Sequence, residues 1–219
     1  MPPMSLVIPL QGVRLKADLD MPPESKGLVL FAHGSGSSRH SPRNQKVAAA
    51  LRACGLATLL FDLLTAEEEA IETSTRHLRF NSRLLGERLA AATLWILDRP
   101  EVQGLAAGYF GASTGAAAAL VAAASLKDSI QAVVSRGGRP DLAAEQLPEV
   151  TAPTLLIVGG NDRDVLRLNE SAHSRLRCEK SLRIIPGATH LFEEPGALDS
   201  VAALAADWFA TYLAKAAPG

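Results

Sequence analysis

Residues 104–124 read GLAAGYFGASTGAAAALVAAA. Residues 104–110 read as a strand. Residues 114–125 read as a helix that is apolar nearly all round, as a helix enclosed on every side must be. Between them, Gly111-Ala112-Ser113-Thr114-Gly115 fits the pattern G-x-S-x-G. That pattern is common by chance. It gains weight from having a strand before it and a helix after it, the setting of a nucleophile elbow. A chain turning so sharply puts Ser113 in a strained backbone conformation. Gly111 and Gly115 stand where the strand and helix backbones come too close for side chains. The bland reading makes Ser113 a helix cap in a small-residue turn. The functional reading makes it a nucleophile at the positive end of a helix.

The same alternation extends outward in both directions. Residues 5–9 and 12–18 read as two strands joined at Gly12, an antiparallel entry to a sheet. Further strands are expected at 28–32, 57–61, 130–134, 154–158 and 182–185. Helices are expected at 44–53, 81–98, 165–175 and 197–214, with Gly55 and Pro100 as stops. Residues 62–80, DLLTAEEEAIETSTRHLRF, are charged and weakly periodic, and read as an excursion above the sheet. Strands alternating with helices imply a mostly parallel sheet covered on both sides.

The chain has 219 residues, enough for one α/β domain spanning 1–219 with a large core. Lys plus Arg is 22 against 23 Asp plus Glu, a balance that gives no reason to expect nucleic acid or a membrane surface as partner. The start, MPPMSLVIPL, lacks the apolar core of a signal peptide, so a cytoplasmic protein is expected. Cys54 and Cys178 have no metal spacing and read as free thiols.

A serine hydroxyl needs a base within hydrogen-bond reach. Of His33, His40, His77, His173 and His190, only His190 follows a late strand and precedes the last helix, in IIPGATHLFEEPGAL. A loop there can bring an imidazole over the carboxyl edge of the sheet. The base needs an orienting acid. Asp162, in the loop after strand 154–158, is preferred over Asp164, Asp141 and Asp62. The order Ser113, Asp162, His190 is the one expected of this motif. Two amides should bind the developing oxyanion. Thr114, after the nucleophile, supplies one. The turn His33-Gly34-Ser35-Gly36 supplies the other, through Ser35 rather than Gly36. His33 reads as a brace for that turn.

With these residues in hand, the chain resembles the α/β-hydrolase superfamily and, within it, the dienelactone hydrolase family. The likeness runs from LVLFAHGSGSS to the last helix. Three segments, TRHLRFNSRLLGERLAAATLW, GYFGASTGAAAALVAAA and VGGNDRDVLRLN, are similar to hydrolase domains fused to phosphoribosyltransferases. The resemblance implies an α/β-hydrolase fold: an eight-stranded, mostly parallel sheet with one antiparallel strand, helices on both faces and no large cap domain. It also implies metal-free ester hydrolysis through an acyl-enzyme, with no cofactor. The family's namesakes carry a cysteine nucleophile where this chain has Ser113, which puts dienelactone itself in doubt as substrate.

The expected partner is a small-molecule ester, acted on by a monomer or homodimer. Arg39, Arg79, Phe80 and Arg136 are candidate substrate-binding residues, with His40, Arg43, Arg76, His77, Arg83 and Arg139 in the same group of strand-end loops. Converging arginines suit an anionic group such as a carboxylate. The bland reading pairs them with Glu67, Glu68, Glu69 and Glu72. A thioesterase or acyltransferase would use the same triad, and a catalytically idle hydrolase fold could serve as a binding protein. A dinucleotide site at GSGSSR is disfavoured, because Arg39 stands where the third glycine is wanted.

Overall fold

A computed structural model of the chain describes residues 3–75 and 77–213. Eight strands form one sheet in the order β1-β2-β4-β3-β5-β6-β7-β8. They are β1 (Met4–Leu10), β2 (Val13–Asp20), β3 (Leu28–Ala32), β4 (Ala57–Phe61), β5 (Ala107–Ala112), β6 (Ile130–Arg136), β7 (Thr154–Gly159) and β8 (Lys180–Ile185). β2 pairs antiparallel with both β1 and β4, and the remaining pairs are parallel. One strand of the eight, β2, therefore runs against the others. The central strands β3, β4, β5 and β7 are buried at every position, as strands covered on both faces must be.

Six helices complete the fold: α1 (Pro42–Ala53), α2 (Ala66–Thr75), α3 (Ser82–Leu97), α4 (Thr114–Leu126), α5 (Arg163–Arg175) and α6 (Ala197–Leu213). Two apolar clusters lie on opposite faces of the sheet. One, beneath α3, α4 and α5, holds Leu30, Tyr109, Val133 and Leu89. The other, beneath α1 and α6, holds Phe31, Phe110, Val134 and Phe209. α4 is the central helix of the first layer, and its run Thr114–Leu120 is buried without a break. Alanines there let α4 approach the sheet closely, and Gly86 of α3 sits against Val121 of α4.

Two expectations shift. The strand expected at 104–110 begins at Ala107, because Gly104 has φ +80° and the Leu105 N–H closes a turn onto the Val102 carbonyl. The excursion at 62–80 contains a helix, α2. Thr65 and Glu68 bond reciprocally at its start, Thr65 N–H to Glu68 Oε2 (2.8 Å) and Glu68 N–H to Thr65 Oγ1 (3.2 Å). That is a capping box, and Glu67, Glu68 and Glu69 place negative charge at the positive end of the helix. Among the described residues, no helix is long and apolar enough to cross a membrane.

Candidate active site

Ser113 joins β5 to α4 with φ 52° and ψ −120°, a sparsely populated conformation for any residue with a side chain. Backbone bonds hold it there. Its N–H donates to the Arg136 carbonyl (3.1 Å), and its own carbonyl accepts from Ala116 (3.1 Å) and Arg139 (3.0 Å). The two motif glycines are required by space. A Cβ on Gly111 would lie 2.4 Å from the Ala116 Cα, and one on Gly115 would lie 2.2 Å from the Ala32 carbonyl oxygen. Ser113 makes no side-chain cap to α4, so the capping explanation of this serine fails.

His190 and Asp162 are joined, Nδ1 to Oδ2, at 2.6 Å. Asp162 is the N-cap residue of α5, but its carboxylate makes no capping bond and turns to the imidazole instead. The loops that carry Asp162 and His190 are laced together. Gly160 N–H donates to the Ile185 carbonyl (2.9 Å), Asn161 N–H to Ala188 (2.9 Å), and Asn161 Nδ2 to Gly187 (2.8 Å). Glu194 accepts the Thr189 N–H at 2.9 Å and braces the residue before His190. The His190 ring lies over the backbone beyond β6: a Cβ built on Gly137 would meet its Cε1 at 3.5 Å. Gly137 follows Arg136, whose carbonyl holds the Ser113 N–H, so the imidazole and the elbow share one corner of the sheet. The rival carboxylates are employed elsewhere. Asp62 accepts from Arg39, Asp141 pairs with Arg139, and the Asp164 side chain is 93% exposed.

The turn after β3 reaches the elbow, since a Cβ on Gly34 would lie 3.1 Å from the Ser113 Cβ. The Thr114 N–H opens α4, where helix amides have no partner within the helix. The Ser35 N–H is engaged. It donates to Thr114 Oγ1 (2.9 Å), and Ser35 Oγ lies 2.9 Å from the same hydroxyl. His33 braces the turn from beneath: Nδ1 bonds the Gly34 carbonyl (3.0 Å), and Nε2 accepts the Leu63 N–H (3.0 Å). Burial pushes its imidazole below the usual histidine range.

The arginines separate into two sets. Arg39 is clamped by Asp18 and Asp62, so its guanidinium ties the turn after β3 to β2 and the end of β4 and is not free for a ligand. Arg79 is held by the buried carboxylate of Glu72 at 3.1 Å, and its Nη2 donates to the Glu72 carbonyl. Arg83 pairs with Glu87 and Arg139 with Asp141. Phe80 is exposed, next to Arg79, whose carbonyl lies 3.4 Å from Ser35 Oγ. Arg136 alone of the four candidates is buried without a hydrogen bond at Nε or Nη1. Arg76 lies outside the described residues. Among the described residues, no group of three or more histidine, cysteine or acidic side chains is placed to hold a metal ion.

The chain matches the model of the dienelactone hydrolase family over residues 15–214. It belongs to the dienelactone hydrolase family. It is 58% identical to a solved dienelactone hydrolase from Anabaena variabilis, with a TM-score of 0.94, covering 97% of this chain and 100% of that one. It is 53% identical over 206 residues to a putative phosphoribosyl transferase of Mycobacterium tuberculosis, covering 94% of this chain and 46% of the relative. The chain thus spans about half the length of the curated relatives it matches. Est1E of Butyrivibrio proteoclasticus shares the fold, with a TM-score of 0.77 at 18% identity over 94% of this chain and 99% of that one. The family and fold are those of hydrolases, which fits the expected α/β-hydrolase architecture: an eight-stranded, mostly parallel sheet with helices on both faces.

Proposed function

We propose that this protein is a serine hydrolase of small carboxylic esters, working through an acyl-enzyme with Ser113, His190 and Asp162. The observation that carries the reading is the 2.6 Å bond between His190 Nδ1 and Asp162 at the corner shared with a positive-φ Ser113. Asp162 holds Nδ1–H, which leaves the Nε2 lone pair as the base. Nε2 takes the Ser113 proton as Oγ attacks the ester carbonyl, and the carbonyl π electrons move onto oxygen. The Thr114 N–H receives that charge. The Ser35 N–H joins it by exchanging Thr114 Oγ1 for the substrate oxygen. Collapse expels the alcohol, which takes the proton from His190. Water then repeats the sequence on the acyl-serine and releases the acid.

Serine in place of the namesakes' cysteine makes small carboxylic esters generally, rather than a dienelactone, the proposed substrate class. The test is turnover of short-chain 4-nitrophenyl esters by the wild type and Ser113→Ala. Wild-type turnover should fall by at least about 10³-fold in the variant, because the nucleophile and its base act as a unit. A fluorophosphonate should label Ser113 in the wild type and nothing in the variant. Turnover that survives the substitution would exclude this mechanism.

A further inference from the structure

The segment VGGNDRDVLRLN carries Asp162 and ends on Asn169. Asn169 lies on α5 and is fully buried. It stands seven residues after Asp162, a spacing of about two helical turns that keeps positions on one side of a helix. A buried carboxamide is costly unless its polar atoms find partners. Asn169 Nδ2 donates to the Gly138 carbonyl (3.0 Å) and to the Val165 carbonyl (2.8 Å), which engages both of its hydrogens. Two carbonyl acceptors also decide which way the carboxamide faces, because a flipped amide would set oxygen against oxygen. The Val165 bond lies within α5 and fixes the side chain on its own helix. The Gly138 bond leaves the helix and reaches a residue 31 positions earlier.

The stretch it reaches, Arg136–Arg139, meets the elbow and the base. The Arg136 carbonyl accepts the Ser113 N–H (3.1 Å), and the Arg139 N–H donates to the Ser113 carbonyl (3.0 Å). Gly137 lies under the His190 ring, and its N–H donates to the Ile157 carbonyl (2.8 Å) of β7, the strand that leads to Asp162. On the side of α4 this stretch has no slack. A Cβ on Gly138 would lie 2.0 Å from Ser135 Oγ and 2.7 Å from the Ala116 Cβ. On the side of α5 it meets the Asn169 carboxamide.

We propose that Asn169 is a positioning residue for ester hydrolysis: its bond to Gly138 sets the separation between the Asp162–His190 pair and Ser113. This rests on the serine-hydrolase reading above. Asp162 sits at the start of α5, the stretch 136–139 holds the backbone of Ser113, and Asn169 fastens one to the other. Packing alone would be served by an apolar side chain at this position, without the cost of burying an amide. Reaction rates are sensitive to such a spacing, since a misplacement of about 1 Å can slow a reaction by about 100-fold.

Two variants and a control test this. Asn169→Leu keeps the bulk of the side chain and removes both donors. Asn169→Ser is milder: its hydroxyl can still reach the Val165 carbonyl four residues back, but it is too short for Gly138. The control is Thr154→Val. Thr154 is buried at the end of β7 away from Asp162, and its Oγ1 donates to the Ala152 carbonyl (2.9 Å). That substitution also removes a buried hydrogen bond, at a distance from Ser113. With 4-nitrophenyl butyrate, well below each melting temperature, both Asn169 variants should lose kcat by about 10- to 100-fold with KM within about twofold of the wild type. Labelling of Ser113 by a fluorophosphonate should slow by a similar factor. Thr154→Val should lower the melting temperature and keep kcat within about twofold.

Wild-type kcat in folded Asn169→Ser overturns the positioning role. So does a loss of kcat in Thr154→Val as large as that in the Asn169 variants, because loss of stability alone would then account for it. In either case a wild type that turns over the ester keeps the hydrolase reading intact. A wild type that neither turns over an ester nor takes the fluorophosphonate at Ser113 removes the hydrolase reading and the role of Asn169 with it.

Discussion

His33 uses both ring nitrogens, one on the Gly34 carbonyl and one on the Leu63 N–H, and only the neutral ring can do so. Burial accordingly holds its pKa below the ordinary 6.5. The unfolded chain takes up a proton as pH falls through about 6.5, while the folded protein resists until a lower pH. Stability from His33 is therefore complete above about pH 6.5 and declines below it. Melting temperatures at about pH 7.5 and about pH 5.5 should differ more for the wild type than for His33→Gln. An equal difference in both would remove His33 as the source. The candidate site residues were legible to unequal degrees. Ser113, Asp162 and His190 could be read because each follows a strand end, and strand ends share an edge of the sheet. The arginines could not be resolved that way. Arg39, in the turn between β3 and α1, finds Asp18 on β2, 21 positions earlier, and no local spacing announces such a pair. Nor did the motif disclose that Thr114 would hold the Ser35 amide across 79 positions.

The elbow and the turn after β3 form one packed element, and Gly115 is the point of contact. A methyl group there would meet the carbonyl oxygens of Ala32 at 2.2 Å and His33 at 2.4 Å, which are backbone atoms and cannot rotate away. Gly115→Ala should cost about 2–4 kcal/mol and push the turn after β3 away from Ser113. Urea titration would measure the first effect, and loss of kcat beyond the loss of folded protein the second. A variant as stable as the wild type would mean that the turn yields easily. Most elements were legible from apolar runs and helical spacing. α2 was missed for a physical reason. Its first turn is nearly all acidic and it offers little apolar stripe, so periodicity was a poor guide. The capping box at Thr65 and Glu68 was the local signal that could have revealed it.

Across the whole molecule, one sheet separates two cores, and each core has a tryptophan against it. Trp95 of α3 packs on one cluster and Trp208 of α6 on the other. These are the two tryptophans of the chain, so Trp95→Phe and Trp208→Phe each leave a reporter on a single face. If the sheet couples the faces, the fluorescence midpoint of each variant should coincide with its own far-UV circular dichroism midpoint. Separated midpoints would show that one layer melts first. The alternating pattern foretold this two-faced sheet, but strand order depends on long-range pairing that no local pattern records.

The whole fold also maintains the backbone of Ser113. A residue with φ 52° and ψ −120° costs about 1–3 kcal/mol relative to glycine, while the greater freedom of glycine in the unfolded chain offsets about 0.4–1 kcal/mol of that. Ser113→Gly should therefore be inactive yet more stable by about 1 kcal/mol, measurable as a higher urea midpoint. A lower midpoint would show that the strain is already relieved. A chain selected for durability alone would drift to glycine at this position. On the proposed mechanism, serine there marks a compromise between lasting and reacting, and thermostabilising variants are best sought away from the elbow.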